Sequence, residues 1–295
     1  MQNPFPNPES AWHAEHHIAD VDEDAVRSRL KIGNASITRL SGGLANDNYQ
    51  IGSDRVLRIY RRDADSLPLE ATLLSRPWQQ LRTPRILDRG ADFLVLEFVG
   101  HRVLHNTYDD GLAIGTALCE IHQQTFDTSG LLSSNAQLQE SWPDFAATIS
   151  HYLHDGLAES RHSDLLKDAA GYFTSHREDL REVMSTSVLL HGDFKASNLH
   201  LTECGLPLVL DWEFAYSGPP IMDVSQLFRW AQPSSFIAGF EAGYRERHES
   251  LPDDWLDLIA VADLVNMVGL LRKSEPGSRR EEDCRNHLKN LMKKP

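Results

Sequence analysis

The sequence predicts an α+β protein of two lobes, a small lobe built on an antiparallel sheet and a larger, mainly helical lobe. Strand-like apolar runs separated by Gly-containing turns fill much of the first hundred residues. Beyond Gly100 the apolar residues recur at helical spacing instead. The chain has 295 residues, which is long for one compact core. We therefore expect an N-terminal lobe over residues 1–99 and a C-terminal lobe over residues 100–295.

The predicted small lobe combines a short meander with one helix. Its elements, in chain order, are an N-terminal helix over 12–31, strands over 37–40, 48–51 and 55–60, a helix over 67–81, and strands over 85–88 and 93–98. Pro77 should kink or end its helix near Arg76, because proline has no amide hydrogen to donate. The strand at 93–98 is nearly all apolar, which predicts that both of its faces are buried.

The predicted large lobe is mostly helical. Helical spacing marks segments around 114–121 and 145–153, then 224–230, 236–247 and 255–271. The polar stretch 129–141 is predicted to be a loop. Two apolar runs, 199–201 and 208–210, are predicted to be small strands that flank the most informative motif of the chain.

That motif is the run HGDFKASN, which begins at His191, followed by DWE, which begins at Asp211. Asp193 and Asn198 are five positions apart, and Asp211 follows thirteen positions later. Phosphoryl transfer from ATP needs a carboxylate that orients the attacking hydroxyl, and it needs an amide oxygen and a second carboxylate to hold magnesium. We therefore expect Asp193 to be the catalytic base and Asn198 and Asp211 to bind Mg²⁺.

The pattern resembles the signature of the aminoglycoside phosphotransferase and choline kinase-like family, small-molecule kinases with a protein-kinase-like fold. The similarity covers about residues 36–230. A second family pattern, GGxxNxxY, is matched by Gly42, Gly43, Asn46 and Tyr49. Small side chains at such a turn let backbone amides approach phosphates. The resemblance implies ATP, or alternatively GTP, as phosphate donor and Mg²⁺ as cofactor.

The resemblance also implies a nucleotide site in the small lobe. Arg58 stands where the family usually has Lys, and an isolated buried Arg would be costly, so it needs a partner. Glu70 on the next helix is the expected partner, and the pair would face the α- and β-phosphates. Glu97 and Val99 belong to the expected hinge between the lobes, where backbone groups would pair with the purine edge.

For four further residues near the motif, the resemblance to kinase-like folds either leaves the role open or implies a supporting one. Lys195 either stabilises charge during transfer or is a solvent-exposed lysine. Glu213 either touches a metal through water or is structural. His191 is expected to hold the shape of the loop. Asp223 is expected to support that loop from beneath.

Charge bears on the choice of partner. The net charge of −14 argues against a nucleic-acid partner, which would need a basic face. Residues 105–190 hold 13 acidic and 4 basic side chains. If this segment faces the acceptor, it favours an amine-bearing acceptor, with an aminoglycoside-type antibiotic slightly ahead of a small metabolite. A solvated acidic surface explains the same count equally well.

Several alternatives remain open at this point. A metabolic kinase acting on choline, homoserine or a sugar amine shares the same chemistry, and a nucleotide-binding pseudokinase is a further alternative. The three cysteines are too few and too scattered for a disulfide framework or a zinc site. With no basic leader and no apolar run near the ~20 residues of a membrane span, we expect a cytoplasmic enzyme without a membrane partner. The oligomeric state is left open.

Overall fold

The computed structural model describes residues 8–12, 23–30, 32–40, 46–158, 160–246 and 251–293. Gly42 and Gly43, assigned from sequence to a phosphate-binding turn, lie outside these residues. So does the middle of the expected helix over 12–31. Among the helices in the described ranges, none has the length and apolar character that crossing a membrane requires.

The small lobe is built on one five-stranded antiparallel sheet, in the order β1-β2-β3-β5-β4. The first elements of the chain are α1 (Glu9–Trp12), α2 (Glu23–Leu30), β1 (Ile37–Arg39), β2 (Asn46–Ile51), β3 (Arg55–Tyr60), α3 (Leu67–Leu74), β4 (Ile86–Arg89) and β5 (Phe93–Glu97). The five strands match the predicted ones to within two residues at each end. All five residues of β5 are buried, as its apolar run predicts. Helix α3 ends at Leu74, so the predicted helix over 67–81 was too long, because Pro77 disfavours helical backbone before it.

The large lobe combines helices with two small sheets. Its elements are β6 (His101–Val103), α4 (Tyr108–His122), β7 (Thr125–Phe126), β8 (Ser129–Leu132), β9 (Leu138–Trp142), α5 (Phe145–His154), α6 (Ser163–His176), β10 (Ser187–Leu190), β11 (Leu199–Thr202), β12 (Pro207–Val209), β13 (Tyr216–Gly218), α7 (Ile221–Leu227), α8 (Ser234–Arg245), α9 (Trp255–Ala262), α10 (Leu264–Arg272) and α11 (Arg279–Leu291). One sheet has the order β12-β11-β6 and the other the order β7-β10-β13-β8-β9.

The structure corrects three predictions in the large lobe. The stretch 129–141 is a β-hairpin of β8 and β9 rather than a loop. Strand β9 is half-buried only at its two ends and exposed between them, so its polar sequence gave no strand signal. The helix predicted over 255–271 is two helices, α9 and α10, which break at Asp263. Helix α7 starts three residues earlier than predicted, directly after Pro220, a residue that suits a helix start.

The tightest helix contact of the large lobe joins α4 to α8 through glycines. A Cβ on Gly111 would lie 2.2 Å from the carbonyl oxygen of Phe236, and a Cβ on Gly243 would lie 2.2 Å from that of Leu112. Only glycine permits this approach of two helix backbones. The contact gives the site a rigid base, because α4 also packs against β10, the strand that leads into the HGD run.

Candidate active site

The residues of the HGDFKASN and DWE motifs meet the small lobe in one cleft. Asp193, Lys195 and Asn198 follow strand β10, and Asp211 follows β12, so the β11–β12 hairpin brings the two motifs together. The cleft has a volume of about 360 Å³. Residues from both lobes line it, among them Asn46, Arg58, Asp193, Lys195, Asn198, Asp211 and Glu213.

The loop that carries Asp193 is held from beneath by buried polar groups. The carboxylate of Asp223 accepts hydrogen bonds from the backbone amides of His191 (2.8 Å) and Gly192 (2.9 Å). The His191 Nε2 lies 2.9 Å from the carbonyl oxygen of Leu210, which ties the two motifs together. Gln226 Nε2 donates to the Gly192 carbonyl at 2.9 Å. His191 and Asp223 therefore form hydrogen bonds with backbone groups of the two motifs, and these bonds hold the loop in shape.

Two residues of the motifs have left-handed backbone conformations. Gly192 has φ +78°, and a Cβ there would lie 2.1 Å from the carbonyl oxygen of Phe214. Glycine is therefore required at this position, where a protein-kinase loop has Arg. Asp211 has φ +69°, a region that Asp visits more readily than most residues. Such conformations cost energy and persist where the surrounding structure holds them, as they do at many functional sites.

Asp193 is oriented by the two polar side chains that follow it in the motif. Lys195 Nζ lies 3.0 Å from Asp193 Oδ2, and Asn198 Nδ2 donates to the same oxygen and to the Asp193 carbonyl, both at 2.9 Å. Among the described residues these side-chain contacts all reach Oδ2, so Oδ1 is left to accept a hydrogen bond from a hydroxyl group. The Asp193 side chain is 21% exposed, which gives a ligand access.

Arg58 lies at the centre of a buried cluster of carboxylates. Its Nε is 3.3 Å from Glu70 Oε2, an ion pair without hydrogen-bond geometry. Its Nη2 donates to Asp211 Oδ1 and lies 3.7 Å from Glu213 Oε2. Tyr60 donates its hydroxyl to Glu70. The expected Arg58–Glu70 pair is present, and the direct bond to Asp211 was not foreseen from the sequence.

The carboxyl group of Glu213 has an unusual environment. Burial, with the negative charge of Asp211 as a further cause, raises its pKa to about 7. The opposing interactions are the positive charge of Arg58 and a 2.7 Å hydrogen bond from Asn46 Nδ2 to Glu213 Oε2. Asn46, expected from the sequence to bind the nucleotide, thus anchors β2 to the DWE motif.

Replacing Glu213 with Gln should change how stability depends on pH. The folded-state pKa of about 7 lies above the ordinary 4.5, so the native state holds the proton more tightly than the unfolded chain does. The stability linked to Glu213 is then fully present below pH 4.5 and is lost as the pH rises through 7, by about 3 kcal/mol in all. Urea unfolding of both proteins at pH 5 and pH 8 measures this effect. Relative to the parent, the free energy of unfolding of Glu213→Gln should be higher at pH 8 than at pH 5. An equal difference at the two pH values would contradict the raised pKa.

A group of buried charges that the sequence did not reveal lies behind Lys195. Arg229 is 4% exposed and binds Glu9 at 2.8 Å and both oxygens of Asp263 at 2.8 and 2.9 Å. Glu9 also lies 3.8 Å from Lys195 Nζ. Glu9 and Arg229 are 220 positions apart in sequence, so no local pattern could indicate the pair. Helix α1 is thereby attached to the large lobe next to the loop that carries Asp193 and Lys195.

The sequence also missed the large-lobe wall of the cleft. We call it the helical wall; it consists of Tyr152, Val265, Asn266, Gly269, Leu270, Lys273 and Arg280. Of the acidic segment 105–190, Tyr152 is the one residue among those described that lines the cleft. The segment was expected to face the acceptor, and none of its carboxylates that the structure describes lines this cleft. The argument for a cationic acceptor therefore loses its basis.

Comparison with known proteins assigns the chain to a family. The model of the phosphotransferase enzyme family, APH, matches residues 36–255. The chain belongs to this phosphotransferase family. It is thus a phosphotransferase with a protein-kinase-like fold, as the sequence motifs indicated. No curated protein matches the sequence of this phosphotransferase.

Solved structures similar to this phosphotransferase share its fold at low sequence identity. A thermostable mutant of aminoglycoside phosphotransferase APH(4)-Ia in its apo form has a TM-score of 0.68 at 19% identity, over 92% of this chain and 98% of that one. The ADP-bound aminoglycoside phosphotransferase APH(2'')-Ib has a TM-score of 0.64 at 16% identity, over 92% and 97%. The gentamicin complex of APH(2")-IIa has a TM-score of 0.65 at 14% identity, over 94% and 98%. These similarities establish the fold.

The expected hinge residues of the phosphotransferase lie outside the lining of the cleft. The Glu97 side chain accepts from Arg82 at 2.8 Å and from Arg85 at 2.7 Å. The Val99 carbonyl lies 2.7 Å from Nδ1 of His101, so it already has one partner. The assignment of Glu97 and Val99 to the purine site, like that of Gly42 and Gly43 to the phosphates, stays a prediction.

The oxygen atoms of the phosphotransferase cleft suit a hard divalent cation. The amide nitrogen of Asn198 is used by Asp193, which leaves Asn198 Oδ1 as the free ligand atom of that side chain. The pKa of Asp211 is lowered: burial opposes this, but the positive charge of Arg58 outweighs it. Asp211 therefore carries a negative charge in the cleft. Within the described ranges no three His, Cys, Asp or Glu side chains converge as a metal site, so substrate oxygens would have to complete the coordination of Mg²⁺.

Proposed function

We propose that this phosphotransferase moves the γ-phosphate of ATP, or of GTP, to a hydroxyl group of a small molecule. The observation that carries the proposal is the convergence of Asp193, Asn198 and Asp211 with Arg58 and Lys195 in one cleft. The set supplies a base, two oxygen ligands for a metal and two cations for phosphate charge. Kinase-type phosphoryl transfer depends on this kind of positioning and charge stabilisation.

In the proposed reaction Asp193 accepts the hydrogen bond of the acceptor hydroxyl at Oδ1 and aims the hydroxyl oxygen at the γ-phosphorus. The transition state is loose, so orientation matters more than base strength. Lys195, held 3.0 Å from Asp193, places a positive charge beside the transferred group. Arg58, in the small lobe, would face the α- and β-phosphates with its planar guanidinium.

Asn198 and Asp211 are the residues that would hold Mg²⁺. When bound, Mg²⁺ would neutralise the negative charge that builds up on the phosphate groups during transfer. In the structure Asp211 is bonded to Arg58. Asp211 would have to loosen this bond to become a metal ligand, and Glu70 and Glu213 would remain as the partners of Arg58.

A second candidate, a metabolic small-molecule kinase, is favoured over an antibiotic kinase by the lining of the cleft. Structural neighbours are described as complexes with streptomycin, gentamicin or hygromycin B, at identities of 14% to 17%. An aminoglycoside-type acceptor would favour carboxylates in the cleft lining, but none of the described carboxylates of the acidic segment 105–190 lies there. The pseudokinase alternative is disfavoured because the catalytic set Asp193, Asn198 and Asp211 is complete.

The proposal is tested by measuring ADP or GDP formation over a panel of hydroxyl compounds. The panel includes aminoglycosides, choline, homoserine, amino sugars and neutral and acidic polyols. We expect acceptor-dependent nucleotide turnover with at least one compound and a matching phosphorylated product by mass spectrometry. The Asp193→Asn variant in the same assay separates true transfer from background hydrolysis. Nucleotide binding with no acceptor-dependent turnover across the whole panel would favour the pseudokinase.

A further inference from the structure

The lining of the cleft has more basic than acidic side chains, although the whole chain has a net charge of −14. Its lining, among the described residues, includes six basic side chains: Arg58, Arg62, Lys195, Arg229, Lys273 and Arg280. The carboxylates of the same lining are three: Asp193, Asp211 and Glu213. How these nine groups are paired decides which charge a ligand meets.

Each of the three carboxylates already has a cation of its own. Asp193 is paired with Lys195 at 3.0 Å, and Asp211 with Arg58. Glu213 lies 3.6 Å from Nη2 of Arg62 and 3.7 Å from Arg58. No lining carboxylate among the described residues is therefore left over for an ammonium group of a substrate.

The pairing leaves two cations on the helical wall. Arg229 is neutralised by Glu9 and Asp263, both buried. Within the described part of the chain, neither Lys273 nor Arg280 has a carboxylate within ion-pair distance, and Lys273 is exposed to solvent in the cleft. Among the described residues, the wall therefore presents two cations that have no paired carboxylate.

The structure fixes one of these two cations in place. Arg280 Nε donates to Ser274 Oγ at 3.2 Å, and its Nη2 donates to the carbonyl oxygen of Lys273. These bonds attach the guanidinium to the C-terminal end of α10 and leave Nη1 without a bond to any described residue. A half-buried, preorganised guanidinium together with a solvent-exposed ammonium group in the same cleft is well suited to binding an anionic oxygen group.

We infer that the acceptor carries an anionic group, a carboxylate or a phosphate, which Lys273 and Arg280 bind while Asp193 holds its hydroxyl. This inference rests on the proposed phosphotransferase function and specifies the substrate class of the same cleft. The helical wall also contributes the apolar side chains of Val265 and Leu270 to the same cleft, which suit the carbon skeleton of a small acceptor. The net negative charge of the chain does not oppose such binding strongly, because charges beyond about 8 Å are screened at physiological ionic strength.

Four matched three-carbon probes test the inference: glycerol, D-glycerate, glycerol 3-phosphate and 3-aminopropane-1,2-diol. All four contain a vicinal diol and differ in the charge of the group on the third carbon, and the two anions distinguish a carboxylate from a phosphate. Each is titrated by calorimetry into the enzyme saturated with Mg²⁺ and ADP or GDP, at constant ionic strength. We expect at least one anion to bind at least 10-fold more tightly than glycerol and the amine to bind no better than glycerol.

Charge-removing variants locate the binding. Lys273→Gln with Arg280→Gln should abolish the preference for the anion and leave nucleotide affinity within two-fold of the parent. Lys273→Gln alone, at an exposed position, should weaken anion binding at least three-fold even if the double variant folds poorly. The control is Arg285→Gln with Lys289→Gln, which removes the same charge from helix α11 outside the cleft and should change nothing.

The outcomes separate the inference from the function on which it rests. Equal binding of all four probes, or a preference for the amine, would overturn the anionic acceptor while leaving phosphotransfer intact. A loss of nucleotide affinity in the double variant would assign Lys273 and Arg280 to the nucleotide and would also overturn it. Anion binding that depends on both residues, without turnover of any hydroxyl compound, would instead contradict the proposed function and keep the anion site.

Discussion

Replacing Asp193 with Asn is expected to lower turnover by on the order of 10³-fold, within the range found for removal of a catalytic base. The amide has the shape of the carboxylate, so it can still bond to Asn198. The amide cannot accept the hydroxyl proton, and because it is neutral it no longer forms an ion pair with Lys195. Because this interaction is made with the reacting hydroxyl, the loss should appear in kcat rather than in nucleotide affinity.

The measurement combines steady-state turnover with calorimetric binding of Mg·ADP or Mg·GDP. Asp164→Asn is the control, because the Asp164 side chain is fully exposed and lies on helix α6, away from the cleft. It should retain parental kcat and affinity. A variant at Asp193 that keeps near-normal kcat would show that another group orients the hydroxyl. One that loses nucleotide affinity as strongly as kcat would show that Asp193 acts in binding.

The part of the candidate site formed by the two motifs could be predicted from the sequence because its residues are local. Asp193, Lys195 and Asn198 lie within six positions, and the apolar runs on either side predict the hairpin that brings Asp211 to them. The Arg58–Glu70 pair could be anticipated because a buried arginine needs a counter-charge, and the next helix offers Glu70.

The helical wall and the buried charges behind Lys195 could not be predicted from the sequence, because segments that are distant in sequence form them. Glu9 meets Arg229 across 220 positions, and the helical wall joins Tyr152 of α5 to residues of α10 and α11. Counting charge by segment also did not identify the residues that line the cleft, for a physical reason. A segment's net charge says nothing about which of its side chains face a cavity. Of the described residues in 105–190, the one that lines the cleft is aromatic, Tyr152.

The small-lobe strands were predicted more accurately than several large-lobe elements. Alternating and fully apolar runs such as β5 give a direct signal, since each residue faces a defined side of the sheet. Strand β9 gave none, because its central residues are polar and exposed. The break at Asp263 between α9 and α10 was hidden as well, since apolar residues continue at helical spacing across it and the buried Arg229 ion pair is not visible in the sequence.

Replacing Asp211 with Asn is expected to weaken Mg²⁺-dependent nucleotide binding by about 10- to 100-fold without lowering the stability of the unliganded protein. The first effect follows from the loss of an anionic oxygen ligand, which a hard cation needs. The second follows from the cluster around Arg58, where Glu70, Asp211 and Glu213 surround one guanidinium. The charge of Asp211 is a cause of the raised pKa of Glu213, so its removal should let Glu213 ionise more readily and pair with Arg58.

Calorimetric titration of nucleotide with and without Mg²⁺, together with urea unfolding of the unliganded protein, measures both effects. Glu213→Gln is the matched comparison, because it also removes one carboxylate beside Arg58 but spares the expected metal ligand. It should keep the dependence of nucleotide affinity on Mg²⁺. If Asp211→Asn binds Mg·nucleotide as tightly as the parent, Asp211 is not a metal ligand. If it instead unfolds at much lower urea, the charge of Asp211 is needed to neutralise Arg58, and the cluster is a structural ion pair that Mg²⁺ does not open.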